Sequence, residues 1–395
     1  MKKNQFNDFI YSKKNRLKVL EYASKKSIED LKFTGREFIK SPSVNNYMKF
    51  SKIMFNSSTW IGKSTFRLLN PYEPSFNEKV KYLETAHARY ILKKVRDKEL
   101  ISHQKATYSE IFKTIFYDFE LSRLDSKRKK ISNVPQIESS VLLVSGVFNE
   151  IFSTPAFKRG AEYIQEKYNI DFNYCPTSGI KDTAQNSAMI RSHIEKLLKG
   201  NKKVWFFAFS KGGIDTLHFL KDYGQDYQDR IIGLSTIASP LLGSERVNHK
   251  IIRFINSIHS MNSMNSNKLY LYLDKKFDFL FKKFQESLSS EFQEEWFQEH
   301  YSYLPRNMFY TALAFQSQWY ESHVWMILTK LFFQSQSIND GIVDAERALY
   351  PDYFQGINLG ILKGHHLIGT RSSDYGQEAL IEAHITFLNY LNLLH

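Results

Sequence analysis

Six short apolar runs, set apart by glycine, proline and polar residues, constrain the fold of this 395-residue chain more than any other feature. They span 140–146, 171–175, 203–209, 230–237, 307–315 and 356–362. Most of them are continuously apolar and do not alternate with polar residues, which is the pattern of a strand covered on both faces. Helical segments at 156–168 and 183–198 lie between the early runs. In the second, Ala188, Ile190, Ile194, Leu197 and Leu198 fall near one stripe. Strand–helix alternation predicts an α/β fold with a mostly parallel central sheet flanked by helices.

Charge divides the chain. Residues 1–136 carry 29 Lys+Arg against 14 Asp+Glu, whereas residues 137–395 carry 25 against 27, so the whole basic excess lies in the first third. That third reads as a basic helical region, with apolar spacing at 16–23, 29–33, 82–92 and 108–124. Ser41-Pro42-Ser43 and the segment from Asn70 to Pro74 break it, and 125–130 with Pro135 reads as an exposed linker. The expected division is 1–136 and 137–395. A basic helical face suits solvent, an anionic membrane surface or nucleic acid. No nucleic-acid motif accompanies it, so nucleic acid is not an expected partner.

An apolar content of 42% with 15% aromatics excludes a disordered chain. Cys175, alone, excludes an intramolecular disulfide and a cysteine zinc site. No stretch reaches the roughly 18 apolar residues of a membrane span. Lys13, Lys14, Arg16 and Lys18 stand where the apolar core of a signal peptide would sit. The expected location is the cytoplasm, with room for peripheral membrane attachment. His87, His103, His193, His218 and His384 fall in helical patterns, and no pair has metal-ligand spacing, so neither a catalytic metal nor another cofactor is expected.

One turn carries chemistry. Ser210 follows the third run, has Ala208 two before it and Gly212 two after, and precedes a helix expected at 214–220. A serine in a tight strand-to-helix turn flanked by small residues is a nucleophile elbow. Serine also favours a plain helix N-cap. A serine hydroxyl needs a base, and the base an orienting acid, in the chain order Ser, acid, His. Asn339-Asp340-Gly341 and Gly364-His365-His366 supply them in that order. Asn-Asp-Gly is also strong turn chemistry. Asp344 is the alternative acid and His365 the alternative base.

Together these segments resemble the bacterial lipase and esterase branch of the α/β-hydrolase superfamily over about residues 138–395. Ser145-Gly146-Val147-Phe148 resembles the family's His-Gly segment after an early strand. Ala208 to Gly213 resembles the elbow, and Ser239-Pro240-Leu241-Leu242-Gly243-Ser244 the Ser-Pro-x-x-Gly-Ser segment. Asn339-Asp340-Gly341-Ile342-Val343 resembles the acid segment. The resemblance implies a serine hydrolase: Ser210 attacks an ester carbonyl, His366 moves the proton and Asp340 orients the imidazole. The backbone N–H groups of Val147 and Lys211 form the oxyanion hole. It prefers His366, which Leu367 follows, over His365. Two departures stand out: Ser145 replaces a histidine, and Lys211 follows the nucleophile. Some family members hold a structural calcium ion, which this sequence leaves open. No family is recognised in residues 1–137.

The segment 245–306 is too long for a plain loop and is aromatic-rich, with Phe277, Phe279, Phe281, Phe292, Trp296 and Phe297. The family often inserts a helical cap there. The implied substrate is a carboxylic ester, small or lipidic, with lipid favoured by the aromatic cap and the basic region. Two other functions remain open: an acyltransferase using the same acyl-enzyme, and a non-catalytic membrane-surface protein on the same fold.

Overall fold

The computed structural model describes residues 75–124, 128–146, 155–179, 181–198, 202–244, 287–318, 337–370 and 375–394, with a few single positions besides. Most of the helical spacing at 16–33, the breaks at 41–43 and 70–74, Val147 and most of the cap lie outside the described residues. In chain order the main elements are α1 (Ser75–Glu84), α2 (Ala86–Arg96), α3 (Tyr108–Leu124), β1 (Ser140–Val144), α4 (Lys158–Tyr168), β2 (Phe172–Cys175) and α5 (Thr183–Leu197). There follow β3 (Val204–Phe209), α6 (Lys211–Tyr223), β4 (Ile231–Ile237), α7 (Ser290–His300), β5 (Phe309–Gln316), β6 (Ile357–Lys363) and α8 (Gln377–Tyr390).

All six expected strands form. They make one sheet in the order β2-β1-β3-β4-β5-β6. The pairs β1/β3, β3/β4, β4/β5 and β5/β6 are parallel. Every residue of β1 and β3 is buried, which is why these runs carry no polar alternation. Trp205 has no exposed surface, and its indole N–H is satisfied by Ser235 Oγ at 3.1 Å. β1 sits between β2 and β3, so the chain leaves it to one side and returns on the other. In an open α/β sheet the crevice at such a switch point, beyond the carboxyl ends of the strands, is where ligands bind.

Three expectations change. The single helix expected at 82–92 is two: the chain bends at Thr85, whose hydroxyl caps α2 by accepting the Ala88 N–H at 3.2 Å. His103 lies in a turn, not a helix. The helix after the elbow extends beyond the expected 214–220 at both ends.

The chain divides into two compact units. One comprises Ser139–Glu150 and Asn173–His366 and holds the sheet. The other comprises Met1–Glu138, Ile151–Phe172 and Leu367–His395. In the second, α3 and α4 each pack on α8, a helix buried over nearly its whole length. Phe112 meets Phe387 and His384 there, edge to face, with ring centroids 5.8 and 4.6 Å apart. Ions are buried with their partners. Arg159 Nε donates to Glu378 Oε1 at 2.8 Å, and its other nitrogens donate to the carbonyls of Ser373 and Tyr375. Glu382 takes Arg123 at 2.8 Å and the Tyr168 hydroxyl at 2.5 Å. Asp118 accepts the Ile131 and Ser132 N–H groups at 2.8 and 2.9 Å, tying the segment after α3 to the helix. Helices from both sides of residue 136 thus share this unit.

Candidate active site

The site is built inside the sheet unit, at the carboxyl ends of β1 and β3. The register places Val144 opposite Ala208, so Ser145 and Gly146 run beside Phe209 and Ser210. Ser210 has φ 55° and ψ −133°, a conformation that costs a non-glycine residue about 1–3 kcal/mol. Neighbouring backbone holds it there. Its N–H donates to the Ile237 carbonyl at 2.9 Å, and its own carbonyl accepts the Gly213 N–H at 3.0 Å. Gly212 is required by contact: a Cβ there would lie 2.4 Å from the Val144 carbonyl oxygen. Ala208 stands in β3 with no exposed surface.

Ser210 occupies the N-cap position of α6, yet its side chain makes no capping bond. The hydroxyl is instead 2.8 Å from His366 Nε2. His366 is fully buried, and its Nδ1 is 2.7 Å from Asp340 Oδ2. Asp340 Oδ1 accepts the N–H groups of Ile342 and Val343 at 2.9 and 2.8 Å. The Asn-Asp-Gly turn is therefore a device for fixing a carboxylate: Asn339 accepts the Gly341 N–H at 3.0 Å, and Asp340 spends one oxygen on the turn and the other on the histidine. The His366 N–H returns to the Asp340 carbonyl at 2.9 Å. The Phe209 ring lies 5.3 Å from the imidazole. An acceptor carboxylate at Nδ1 fixes the tautomer whose Nε2 lone pair faces the hydroxyl.

Asp344 and His365 are elsewhere in this arrangement. The Asp344 carboxylate takes the Ser337 hydroxyl, and Asn339 and Asp344 form a backbone bridge. His365 is buried next in chain to His366. Gly146 faces the nucleophile: a Cβ there would lie 2.7 Å from Ser210 Cβ and 3.0 Å from both its Oγ and the Lys211 nitrogen. Space for a small group beside Ser210 depends on that missing side chain.

Sequence reasoning missed the polar residues behind the elbow. The Lys211 side chain is not in solvent. It is 1% exposed, and its ammonium donates to Asp215 Oδ1 at 2.6 Å. Asn186 Nδ2 donates to Asp215 Oδ2 at 2.8 Å. Burial pushes the Asp215 carboxyl up to about 6, against the opposing pull of Lys211 and Asn186. The readable signal was the four-residue spacing of Lys211 and Asp215 on one helix face. Burial pushes the neighbouring His218 down to about 3. It stacks on Trp296 of α7, centroids 3.9 Å apart, in the part of the expected cap that the structure describes. Among the described residues no group of three His, Cys, Asp or Glu side chains is placed to hold a metal ion, and no helix is long and apolar enough to cross a membrane.

No protein-family model and no curated protein sequence matches the chain. Solved structures do. The metagenomic carboxyl esterase MGS0156 aligns with a TM-score of 0.52 at 22% identity, over 65% of this chain and 77% of that one. The mature lipase BlEst2 of Bacillus licheniformis aligns with a TM-score of 0.43 at 18% identity, over 66% and 94%. The thioesterase RedJ of the Streptomyces coelicolor prodiginine pathway aligns with a TM-score of 0.34 at 13% identity, over 63% and 90%. The first of these, with the parallel sheet and the elbow after β3, establishes the architecture: the chain has the α/β-hydrolase fold.

Proposed function

We propose that the protein is a serine hydrolase of carboxylic esters, with lipid esters as the favoured substrates. The observation that carries the reading is the unbroken hydrogen-bonded line from Ser210 through His366 to Asp340, at 2.8 and 2.7 Å, in buried surroundings. In this reading Ser210 Oγ attacks the ester carbonyl while His366 Nε2 takes its proton. The tetrahedral oxyanion turns toward the backbone N–H of Lys211; Val147, the second donor the resemblance implies, lies outside the described residues. Each such donor stabilises the oxyanion by about 2.7–4 kcal/mol. His366 then protonates the leaving alcohol, and water attacks the acyl-enzyme by the same route in reverse. Asp340 keeps the imidazole in the working tautomer and stabilises its cation. The carboxyl esterase with the same fold is consistent with this chemistry. Support for the lipid part comes from the aromatic residues of 277–281 and the basic excess of residues 1–136.

A series of p-nitrophenyl esters from acetate to palmitate tests both parts. The reading predicts turnover that rises with acyl length, releasing free acid. Flat or falling rates across the series would remove the lipid preference. No turnover of any member by folded protein would remove the ester hydrolase.

A further inference from the structure

The strand end that carries Ser145 and Gly146 is held from a neighbouring loop. The Thr177 hydroxyl donates to the Ser145 carbonyl at 3.1 Å. Thr177 and Ser178 belong to the loop leaving β2, and that loop is fastened from below. Asn186 Oδ1 accepts the Ser178 N–H at 3.0 Å, and Asn186 Nδ2 donates to the Ser178 carbonyl at 2.7 Å. The same amide donates to Asp215 Oδ2 at 2.8 Å, and Asp215 Oδ1 takes the ammonium of Lys211, the residue after the nucleophile. Thr177, Asn186, Lys211 and Asp215 are all buried.

The cost of this arrangement argues that it has a use. A lysine in the first turn of a helix opposes the helix dipole, and Lys ahead of Asp at four residues is the weaker orientation of such a pair. Both ions have also left water, and apolar residues of similar volume are often at least as stable in such places. Local rules of this kind are broken most often at functional sites. What the pair achieves geometrically is a tie between the two backbone segments that face the same small space: Lys211 N on α6 and Gly146 after β1.

We propose that Thr177 and Asn186, anchored through Asp215 to Lys211, are positioning residues that hold the Ser145–Gly146 segment at the distance from the elbow that the oxyanion requires. This rests on the ester-hydrolase reading above. The Thr177 hydroxyl supports the Ser145 carbonyl, and the buried Lys211–Asp215 pair, through Asn186, fixes the loop that carries it. A misplacement of about 1 Å in such a donor set costs on the order of a hundredfold in rate.

The test compares Thr177→Val, Thr177→Ser and Asn186→Leu with wild type. Active sites are titrated to completion with a fluorophosphonate, and p-nitrophenyl butyrate turnover is expressed per labelled site. The expected result is a kcat per site lowered about ten- to a hundredfold in Thr177→Val and Asn186→Leu, with KM within about threefold, and recovery in Thr177→Ser. A role in folding alone would lower the number of labelled sites or the melting temperature and leave kcat per site unchanged; that result would overturn the proposal. So would a Thr177→Ser variant as slow as Thr177→Val. If wild type is neither labelled nor active, the ester-hydrolase reading fails, and the proposal falls with it.

Discussion

The two compact units bury ions by the same physical rules and to different ends. In the helical unit, Arg159 lies against Glu378 and the carbonyls of Ser373 and Tyr375, and Glu382 takes Arg123 and Tyr168. These charges find partners that join helices to helices or to the segment before α8, and no residue in these contacts has a left-handed backbone among those recorded. In the sheet unit, His366 and Asp340 line up on Ser210, which does have one. A lysine sits against the helix dipole, a serine leaves its cap unmade, and a carboxylate divides its oxygens between a turn and a histidine. Buried charge therefore does not by itself mark a site of chemistry; what distinguishes the sheet unit is that part of it lies beside a strained turn of small residues.

The comparison predicts that substitutions in the two units fail in different ways. The largest effect is expected at the line of hydrogen bonds. Asp340→Asn leaves the shape intact and disturbs the tautomer of His366, so kcat should fall by about 10⁴ while the melting temperature changes little. Asp344→Asn should stay within a fewfold of wild type, because the Asp344 carboxylate takes the Ser337 hydroxyl, whereas Nδ1 of His366 meets Asp340. Equal losses in the two variants would break the assignment of the acid.

Next in size is Arg159→Met. It strands the Glu378 carboxylate in a buried place, at a cost of about 3–5 kcal/mol of stability. The midpoint of urea unfolding should drop accordingly, and kcat per titrated site should hold. The double variant Arg159→Met/Glu378→Met should recover much of the loss, since it removes the orphaned charge as well. A loss of turnover per site in folded Arg159→Met would erase the distinction between the units.

The smallest effect is in pH dependence. Burial lowers His218 to about 3 in the sheet unit and His384 to about 4 in the helical unit. Both are neutral in the fold, whereas an unfolded histidine titrates near 6.5. The unfolded state therefore binds more protons below that value. Their stabilising contribution is complete above about pH 6.5 and is lost as pH falls toward the folded values. Replacing His384 by Gln should flatten the fall in stability between pH 6.5 and 5 by about 1.5 kcal/mol, read as unfolding midpoints across that range. An unchanged slope would mean that His384 is not held neutral.

What could be read in the sequence follows from the range over which each signal acts. The central strands were legible because β1 and β3 are buried on both faces and so carry apolar residues at nearly every position. That Ser210, His366 and Asp340 come together was legible because elbow, turn and chain order are local motifs in a fixed succession. The split of 82–92 into α1 and α2 was not, because apolar spacing continues across Thr85 and only the capping hydroxyl marks the break. α8 was passed over for the opposite reason: it is buried nearly all round and carries no amphipathic stripe. The Thr177–Asn186–Asp215 chain could not be read at all. Its members come from three separate segments, and each is an ordinary polar residue until the fold brings them together.

The central claim is that Ser210 is activated by its neighbours. Fluorophosphonate labelling of the purified full chain, wild type against Ser210→Ala, tests it most directly. The account predicts one labelled site in wild type, located at Ser210 by peptide mapping, and none in the variant. A folded wild type that resists labelling, or a variant that labels equally well, would contradict it.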